Sequence, residues 1–248
     1  MKNKKNYKIK IVALVSREWS KEILENILAS NNNIIDIKLI LSKNIIFKSN
    51  KIGRVIYLRK NKITQHINKI RKIQPDFILT YGWSGYLPKK LREISPCLIL
   101  HPSKLPKYRG GSPLQNQIVN EEKNSAITIL IANEKIDSGP ILFQKKFNLK
   151  GYLDQIFERI IKIGTIGSLE IFYKYSINKL KLKKKNEKKA SYYKRRLPEM
   201  SEIFLKDFKN KEASYFYNLI RSLQDPYPEC FIRCKNNTKL FFKKVYIK

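Results

Sequence analysis

Between Lys8 and His101, apolar runs of strand length alternate with stretches of helical spacing. That alternation limits the fold more than any other feature of this 248-residue chain. Lys8 to Val15 alternates and then runs apolar, as a buried strand does. Trp19 to Ser30 (WSKEILENILAS) has apolar residues at helical spacing, with Ser20 as the expected N-cap. Ile34 to Ser42 and Arg54 to Leu58 read as strands. Ile63 to Ile73 is helical and ends at Gln74-Pro75-Asp76. Phe77 to Gly82 is a strand running into a loop, Leu87 to Ile94 a short helix with Pro88 in its first turn, and Cys97 to His101 (CLILH) a strand again. Strands separated by helices pair in parallel, so the expected class is α/β, a parallel sheet with helices on both faces. After His101 come a loop, a helical segment (Ser112 to Asn120), a strand (Ala126 to Ala132) and a turn. The long amphipathic helix Leu153 to Tyr175 should pack on the sheet. A helix (Glu212 to Leu223) and two β-rich runs (Glu229 to Arg233, Lys239 to Ile247) then describe a small β-rich C-terminal unit. The composition shift at Lys179 to Arg196 (KLKLKKKNEKKASYYKRR) marks a boundary. The expected organisation is a main domain over 1–180, a basic linker over 181–200 and a small domain over 201–248.

Hydrophobic residues make up 42% of the chain, which supports a packed body rather than disorder. No apolar run approaches the ~20 residues that a membrane span needs, so no membrane partner is expected. Met1 to Ser16 joins a basic lead to an apolar stretch, as a secretory signal would. It lacks a small-residue cleavage site and runs into Arg17 and Glu18, so a first buried strand is the better reading. Three cysteines, Cys97, Cys230 and Cys234, suit neither a disulfide framework nor a four-ligand zinc site. No metal is expected, and a cytoplasmic location fits. The net charge of +32 suggests a polyanion, an anionic membrane or an anionic substrate. Of the 52 basic residues, however, 41 are Lys and 11 are Arg, and Ile and Asn are also abundant. A/T-rich coding explains much of that excess, and Lys is the weaker choice for bidentate phosphate recognition. Lys179 to Arg196 reads either as a solvated linker or as a phosphate-facing patch with Tyr192 and Tyr193 as stacking groups.

Chemistry-bearing residues are few. His66 lies in a helical segment among Lys and Asn and reads as an ordinary surface or half-buried residue. His101 ends an apolar strand and opens a Pro-Ser-x-x-Pro loop, which places an imidazole at the sheet's C-terminal edge; capping the strand is the bland alternative. Asp137 precedes Ser138-Gly139-Pro140 in a tight turn, where an Asp most often just forms the turn. Paired with His101, it would orient the ring and accept a proton directly or through water. No GxGxxG opens the first helix, whose turn is Ser16-Arg17-Glu18-Trp19, so dinucleotide binding by that fingerprint is disfavoured. A doubly wound sheet binds ligands beyond its strand C-termini, where Gly82, His101 and Asp137 are expected to converge.

HPSKLPKYRGGSP (His101 to Pro113), followed by IDSGPI (Ile136 to Ile141), resembles the folate-dependent formyltransferases. That family includes methionyl-tRNA, glycinamide ribonucleotide and sugar-nucleotide enzymes. YGWSGYLP (Tyr81 to Pro88) is similar to the loop before the family's catalytic strand. RRLPEMSEI (Arg195 to Ile203) and IRSLQDPYPECF (Ile220 to Phe231) are similar to the start of its C-terminal domain.

The resemblance implies a Rossmann-like formyltransferase sheet plus the small C-terminal unit. It also implies transfer of a formyl group from 10-formyltetrahydrofolate to a neutral amine, through a tetrahedral oxyanion that calls for preorganised donors. In the family an Asn, a His and an Asp share this work. His101 and Asp137 match the catalytic His and Asp, but the Asn position holds Ile99, which donates no hydrogen bond. Three explanations compete: substitution by Gln115, Asn116 or Gln117, a branch using His and backbone donors, or lost catalysis. Folate is expected against Trp83, Ser84, Gly85, Leu87 and Pro88, and against Asn133, Ile136 and Gly139; core packing is the alternative for Trp83. The acceptor is expected against Ser103, Lys107, Tyr108, Arg109, Gly110 and Gly111.

The acceptor has two readings. GGSPLQNQI after Arg109 and the short second unit point to a nucleotide-linked amino sugar, whose diphosphate would meet basic residues. The positive charge points to methionyl-tRNA. A catalytically silent folate- or nucleotide-binding protein is the third reading. Homodimerisation through the C-terminal unit is implied by the family.

Overall fold

In the computed structural model, which describes residues 7–30, 33–48, 54–58 and 62–248, strand β1 (Ile9–Val15) is buried along almost its whole length. A strand covered on both faces belongs inside a parallel sheet. Strand β2 (Ile35–Ser42) pairs with it in parallel, and β3 (Arg54–Tyr57), more exposed, is the edge beyond β2. On the other side lie β4 (Phe77–Leu79) and then β5 (Cys97–His101), both parallel. Strands β7 (Asn124–Ile131) and β8 (Ile141–Asn148) complete a seven-stranded sheet of order β3-β2-β1-β4-β5-β7-β8. The two-residue β6 (Arg109–Gly110) pairs separately with β9 (Tyr192–Tyr193). The basic lead, Met1 to Asn6, lies outside the described residues.

Helix α1 (Glu18–Ala29) buries Ser20, Ile23, Leu24 and Ile27. Ser20 is therefore not the N-cap. The helix starts two residues earlier, and the Ser20 hydroxyl donates back to the Arg17 carbonyl at 2.6 Å. A 3₁₀ turn (Ile63–His66) leads into α2 (Ile67–Ile73), which left-handed Gln74 ends; His66 is half-buried. Helix α3 (Lys89–Arg92) is shorter than expected, with Pro88 at its N-cap instead of inside the first turn. Helix α4 (Pro113–Val119) follows the loop after His101, and α5 (Leu153–Ser176) is the expected long helix. A side chain at Gly164 or Gly167 would strike Leu100 of β5 or Phe143 of β8, so α5 lies close on that face of the sheet.

The α/β class is borne out, with one change in direction. Strand β7 is antiparallel to β5, with Leu98 opposite Ile131 and His101 opposite Thr128. An antiparallel edge on an otherwise parallel sheet is common. Strand β8 was not expected, because Lys145-Lys146 interrupts its apolar pattern with two exposed lysines.

The described residues form two compact units. The first draws on 1–101, 127–145 and 160–186, the second on 102–126, 146–159 and 187–248. The core of the second unit is Ile203, Leu219, Ile220, Leu223 and Cys230, with Val119 of α4 packed against it. Ile203 precedes the short α6 (Asp207–Asn210), Leu219 and Ile220 lie on α7 (Ala213–Ser222) with Leu223 at its C-cap, and Cys230 opens the antiparallel hairpin of β10 (Cys230–Arg233) and β11 (Lys239–Phe242). Among the described residues no helix is long and apolar enough to cross a membrane. No group of three or more His, Cys, Asp or Glu is placed among them to hold a metal ion.

The three thiols differ sharply. Burial pushes Cys97 and Cys230 up to about 12, against partial opposition from Arg92 and Arg196 respectively, while Cys234 is exposed. A thiol rather than a thiolate is inert. At pH 8 a bulky disulfide reagent should therefore label Cys234 alone in the native protein and all three after denaturation. Rapid native labelling of Cys97 or Cys230 would contradict this packing.

Candidate active site

His101, 5% exposed, ends β5. Its Nδ1 lies 3.5 Å from Oδ2 of Asp137, and both side chains are about nine-tenths buried or more. The separation is at the outer limit for a direct hydrogen bond. Because β7 runs antiparallel, it ends level with Leu98, not with His101. The following loop returns Asp137 to the imidazole. Its neck is closed by the Ile131 N–H donating to the Pro140 carbonyl at 2.9 Å. Within it Asp137 adopts a left-handed φ of +49°, a conformation Asp tolerates better than most residues. Gly139 admits no side chain, since a Cβ there would stand 1.7 Å from the Ile131 carbonyl oxygen. The Ser138 hydroxyl donates at 2.9 Å to Asn133 Oδ1.

Residues two apart on a strand share a face, so Ile99 lies beside His101 on β5. Ile99 is half-buried and faces Leu130 across the ladder. Opposite His101 the fully buried Thr128 accepts a 2.9 Å hydrogen bond from the Gln144 amide. Thr128 and Gln144 were not read from the sequence. Only the β5–β7 register and the unexpected β8 bring them to this row.

Ligands of doubly wound sheets bind where the strand order reverses, here between β1 and β4. At that point the Ser16 hydroxyl donates to the Gly82 carbonyl at 2.6 Å. In the loop that follows, Trp83 and Leu87 pack against the core that includes Val12, Ile78 and Cys97. The Trp83 indole N–H is nevertheless buried without an acceptor among the described residues. Gly85 stays close under it, since a Cβ would lie 2.7 Å from the indole nitrogen. Ser84 is exposed and Pro88 half-buried. Beyond β7, Asn133 and Ile136 are exposed, Ile136 by 67%.

The residues read as acceptor contacts belong to the second unit. Ser103 is buried and donates to the Lys107 carbonyl at 2.8 Å, while Lys107 is exposed. Tyr108 stacks on Tyr193 with ring centroids 4.7 Å apart, and its hydroxyl donates to Glu122. Burial pushes that phenol up to about 12. Arg109 is only 2% exposed. Its Nη2 donates to Glu187 Oε2 at 2.8 Å and Oε1 at 3.0 Å, and its Nη1 to the Tyr192 hydroxyl at 2.8 Å. Burial pulls the guanidinium pKa down, but Tyr192 and Glu187 outweigh it and hold the pKa above its ordinary value. Gly110 and Gly111 lie against backbone: a Cβ on either would come within 2.4 Å of Tyr193 or Arg195. Glu187 to Tyr193, part of the basic run, is thus docked on this loop, with Tyr193 stacked internally.

Of the three amides read as substitutes for the missing Asn, two are committed. Asn116 donates to the Gly111 carbonyl at 2.9 Å. Gln117 donates to the Pro102 and Pro113 carbonyls at 2.8 Å each and accepts from Ser125 at 2.7 Å. Gln115, 1% exposed, keeps an amide nitrogen with no partner among the described residues.

A buried imidazole–carboxylate pair at a strand end of an α/β sheet has the make-up of an acid–base site. The family model described as formyl transferase matches residues 2–156. A methionyl-tRNA formyltransferase of Buchnera aphidicola subsp. Acyrthosiphon pisum is 28% identical over 259 residues, covering 96% of this chain and 80% of that protein. Among solved structures, the methionyl-tRNA formyltransferase of Clostridium thermocellum matches with a TM-score of 0.72 and 27% identity, over 97% of this chain and 94% of that one. A sugar N-formyltransferase from a Shewanella species has the same fold, with a TM-score of 0.69 and 17% identity over 97% and 99% of the two chains. The chain belongs to the formyl transferase family.

Proposed function

We propose that the protein moves the formyl group of 10-formyltetrahydrofolate onto a primary amine, with His101 and Asp137 as its catalytic residues. The observation that carries this reading is their 3.5 Å pairing, buried at the end of β5. The residues present fit a folate. Trp83 carries a buried indole N–H without an acceptor among the described residues, and exposed Tyr86 and Ile136 offer apolar surface to a flat ring. Trp83 to Pro88, with Asn133, Ile136 and Gly139, would hold it. The bound folate supplies an activated formyl carbon. His101 would donate a hydrogen bond to the formyl oxygen as negative charge develops there. Asp137 would fix the ring through Nδ1 and take up, directly or through a water, the proton lost by the attacking amine; a proton is returned to N10 as the carbon–N10 bond breaks and tetrahydrofolate leaves. Burial strengthens both interactions by lowering the local dielectric.

Ile99 removes one donor from this arrangement. Ile99→Asn should raise kcat, with an upper bound of about 10²–10³-fold, the usual worth of one such donor. A collapse of kcat in steady-state assays would contradict the assigned oxyanion position.

For the acceptor we propose the amino group of a nucleotide-linked amino sugar, supported by the GGSPLQNQI string after Arg109. A second reading, methionyl-tRNA, is favoured by the two relatives of that name at 27–28% identity and by the charge of +32. The deciding experiment compares amino-sugar nucleotides with charged initiator tRNA at equal 10-formyltetrahydrofolate. Higher kcat/KM on a sugar nucleotide supports the first reading. Higher kcat/KM on tRNA, with affinity falling steeply as salt rises, replaces it with the second. Folate binding without formylation of any amine would leave a silent binding protein.

A further inference from the structure

Lys185 sits in the basic run that reads as a solvated linker or a phosphate-facing patch, yet it is half-buried and bonded to the turn carrying Asp137. Its ammonium donates to the carbonyl oxygen of Gly139 at 2.8 Å and also to that of Ser138. The approach is set by backbone pairing. Lys183 forms an antiparallel bridge with Ile141, its N–H donating to the Ile141 carbonyl at 2.7 Å. Two residues further along that register, Lys185 faces Gly139. Lys183 adds a 3.4 Å hydrogen bond to the Gln144 carbonyl and stands 5.5 Å from the Phe143 ring centre. The segment is a short strap along the start of β8.

We infer that Lys185 is a positioning residue, clamping the Ser138–Gly139 peptide carbonyls so that Asp137 is held against His101. Two consecutive carbonyl oxygens turned towards one point repel each other, and a cation between them offsets that repulsion. Other contacts also fix the turn. Ser138 bonds Lys135 and Asn133, and Gly139 lies against the Ile131 carbonyl with no room to retreat. Lys185 adds a cation bonded to both carbonyls. Two acceptors suit an ammonium with three donors, and the position two residues from Asp137 means any relaxation reaches the 3.5 Å contact directly. Misplacing a catalytic group by 1 Å costs up to about 10²-fold in rate.

The inference rests on the formyl-transfer reading, so its test has one arm that does not. Lys185→Met and Lys185→Arg are made in the full chain and followed by hydrogen exchange and by steady-state kinetics. In Lys185→Met, exchange in a peptide covering 133–140 should quicken about tenfold while β1 is unchanged. With formyl transfer as readout, kcat should fall by about 10- to 10²-fold, with KM for both substrates nearly constant, and Lys185→Arg should restore most of it. Unchanged exchange in the turn overturns the clamp, whatever the activity. Faster exchange with unaltered kcat, or an equal loss in Lys185→Arg, overturns the positioning role. If the parent chain formylates no amine, the functional reading fails, and the exchange arm still decides the clamp.

Discussion

His101→Ala should lower kcat/KM for formyl transfer by about 10²–10⁴-fold, the usual contribution of a placed acid–base group. Asp137→Asn should fall in the same range. The Asn variant is the cleaner probe of chemistry, because Asn accepts the left-handed φ of +49° at this position and replaces the carboxylate nearly atom for atom. Folding should survive, as judged by circular dichroism and Tm. The two residues act through one imidazole–carboxylate contact, so the double variant should be little worse than the worse single one. Losses that multiply would mean that each residue works alone. Activity retained in both single variants would remove the assigned mechanism.

Gly139→Ala is the second large effect, and it works through shape instead of charge. The added Cβ would meet the Ile131 carbonyl oxygen at 1.7 Å, far inside any tolerable contact. That oxygen belongs to the last residue of β7, and the Ile131 N–H closes the neck of the loop with Pro140, so neither side can yield cheaply. The loop must shift, and Asp137 with it. The expected result is a stability loss of about 1–3 kcal/mol together with a fall in kcat of about 10²-fold. Both are read from thermal melts and steady-state rates on one preparation. A variant with wild-type Tm and kcat would show that the turn is looser than its geometry indicates.

Much of the fold could be read from local pattern. CLILH forms the strand it suggests, ending on His101, because four consecutive apolar residues between turns have few other uses. The parallel strands and α5 follow from the same periodicities. The direction of β7 was not legible, since pairing is decided between distant segments and not within either one. Strand β8 was hidden by Lys145-Lys146, whose side chains face solvent on a strand otherwise largely buried. Ser20 looked like a cap because Ser favours that position, yet its hydroxyl turned back to the Arg17 carbonyl.

The site divides in the same way. His101 and Asp137 stand out because each is a rare chemical type beside Pro and Gly, which punctuate the chain. Thr128 and Gln144 are ordinary strand residues until the register aligns them with His101. Lys185 is one of 41 lysines, and no composition argument separates it from its neighbours. Arg109 belongs to the loop read for the acceptor, but its partners Glu187 and Tyr192 lie about eighty residues away in sequence and come from the basic run.

The central claim is that the buried His101–Asp137 pair transfers a formyl group to an amine. It is tested most directly by incubating the chain with 10-formyltetrahydrofolate and a panel of amino-sugar nucleotides and charged initiator tRNA. Release of tetrahydrofolate is then followed together with the mass of the acceptor. The expected result is tetrahydrofolate formed in step with an acceptor heavier by one formyl group, and loss of both signals in Asp137→Asn. Equal turnover in the wild-type chain and Asp137→Asn, or none with any acceptor, would contradict it.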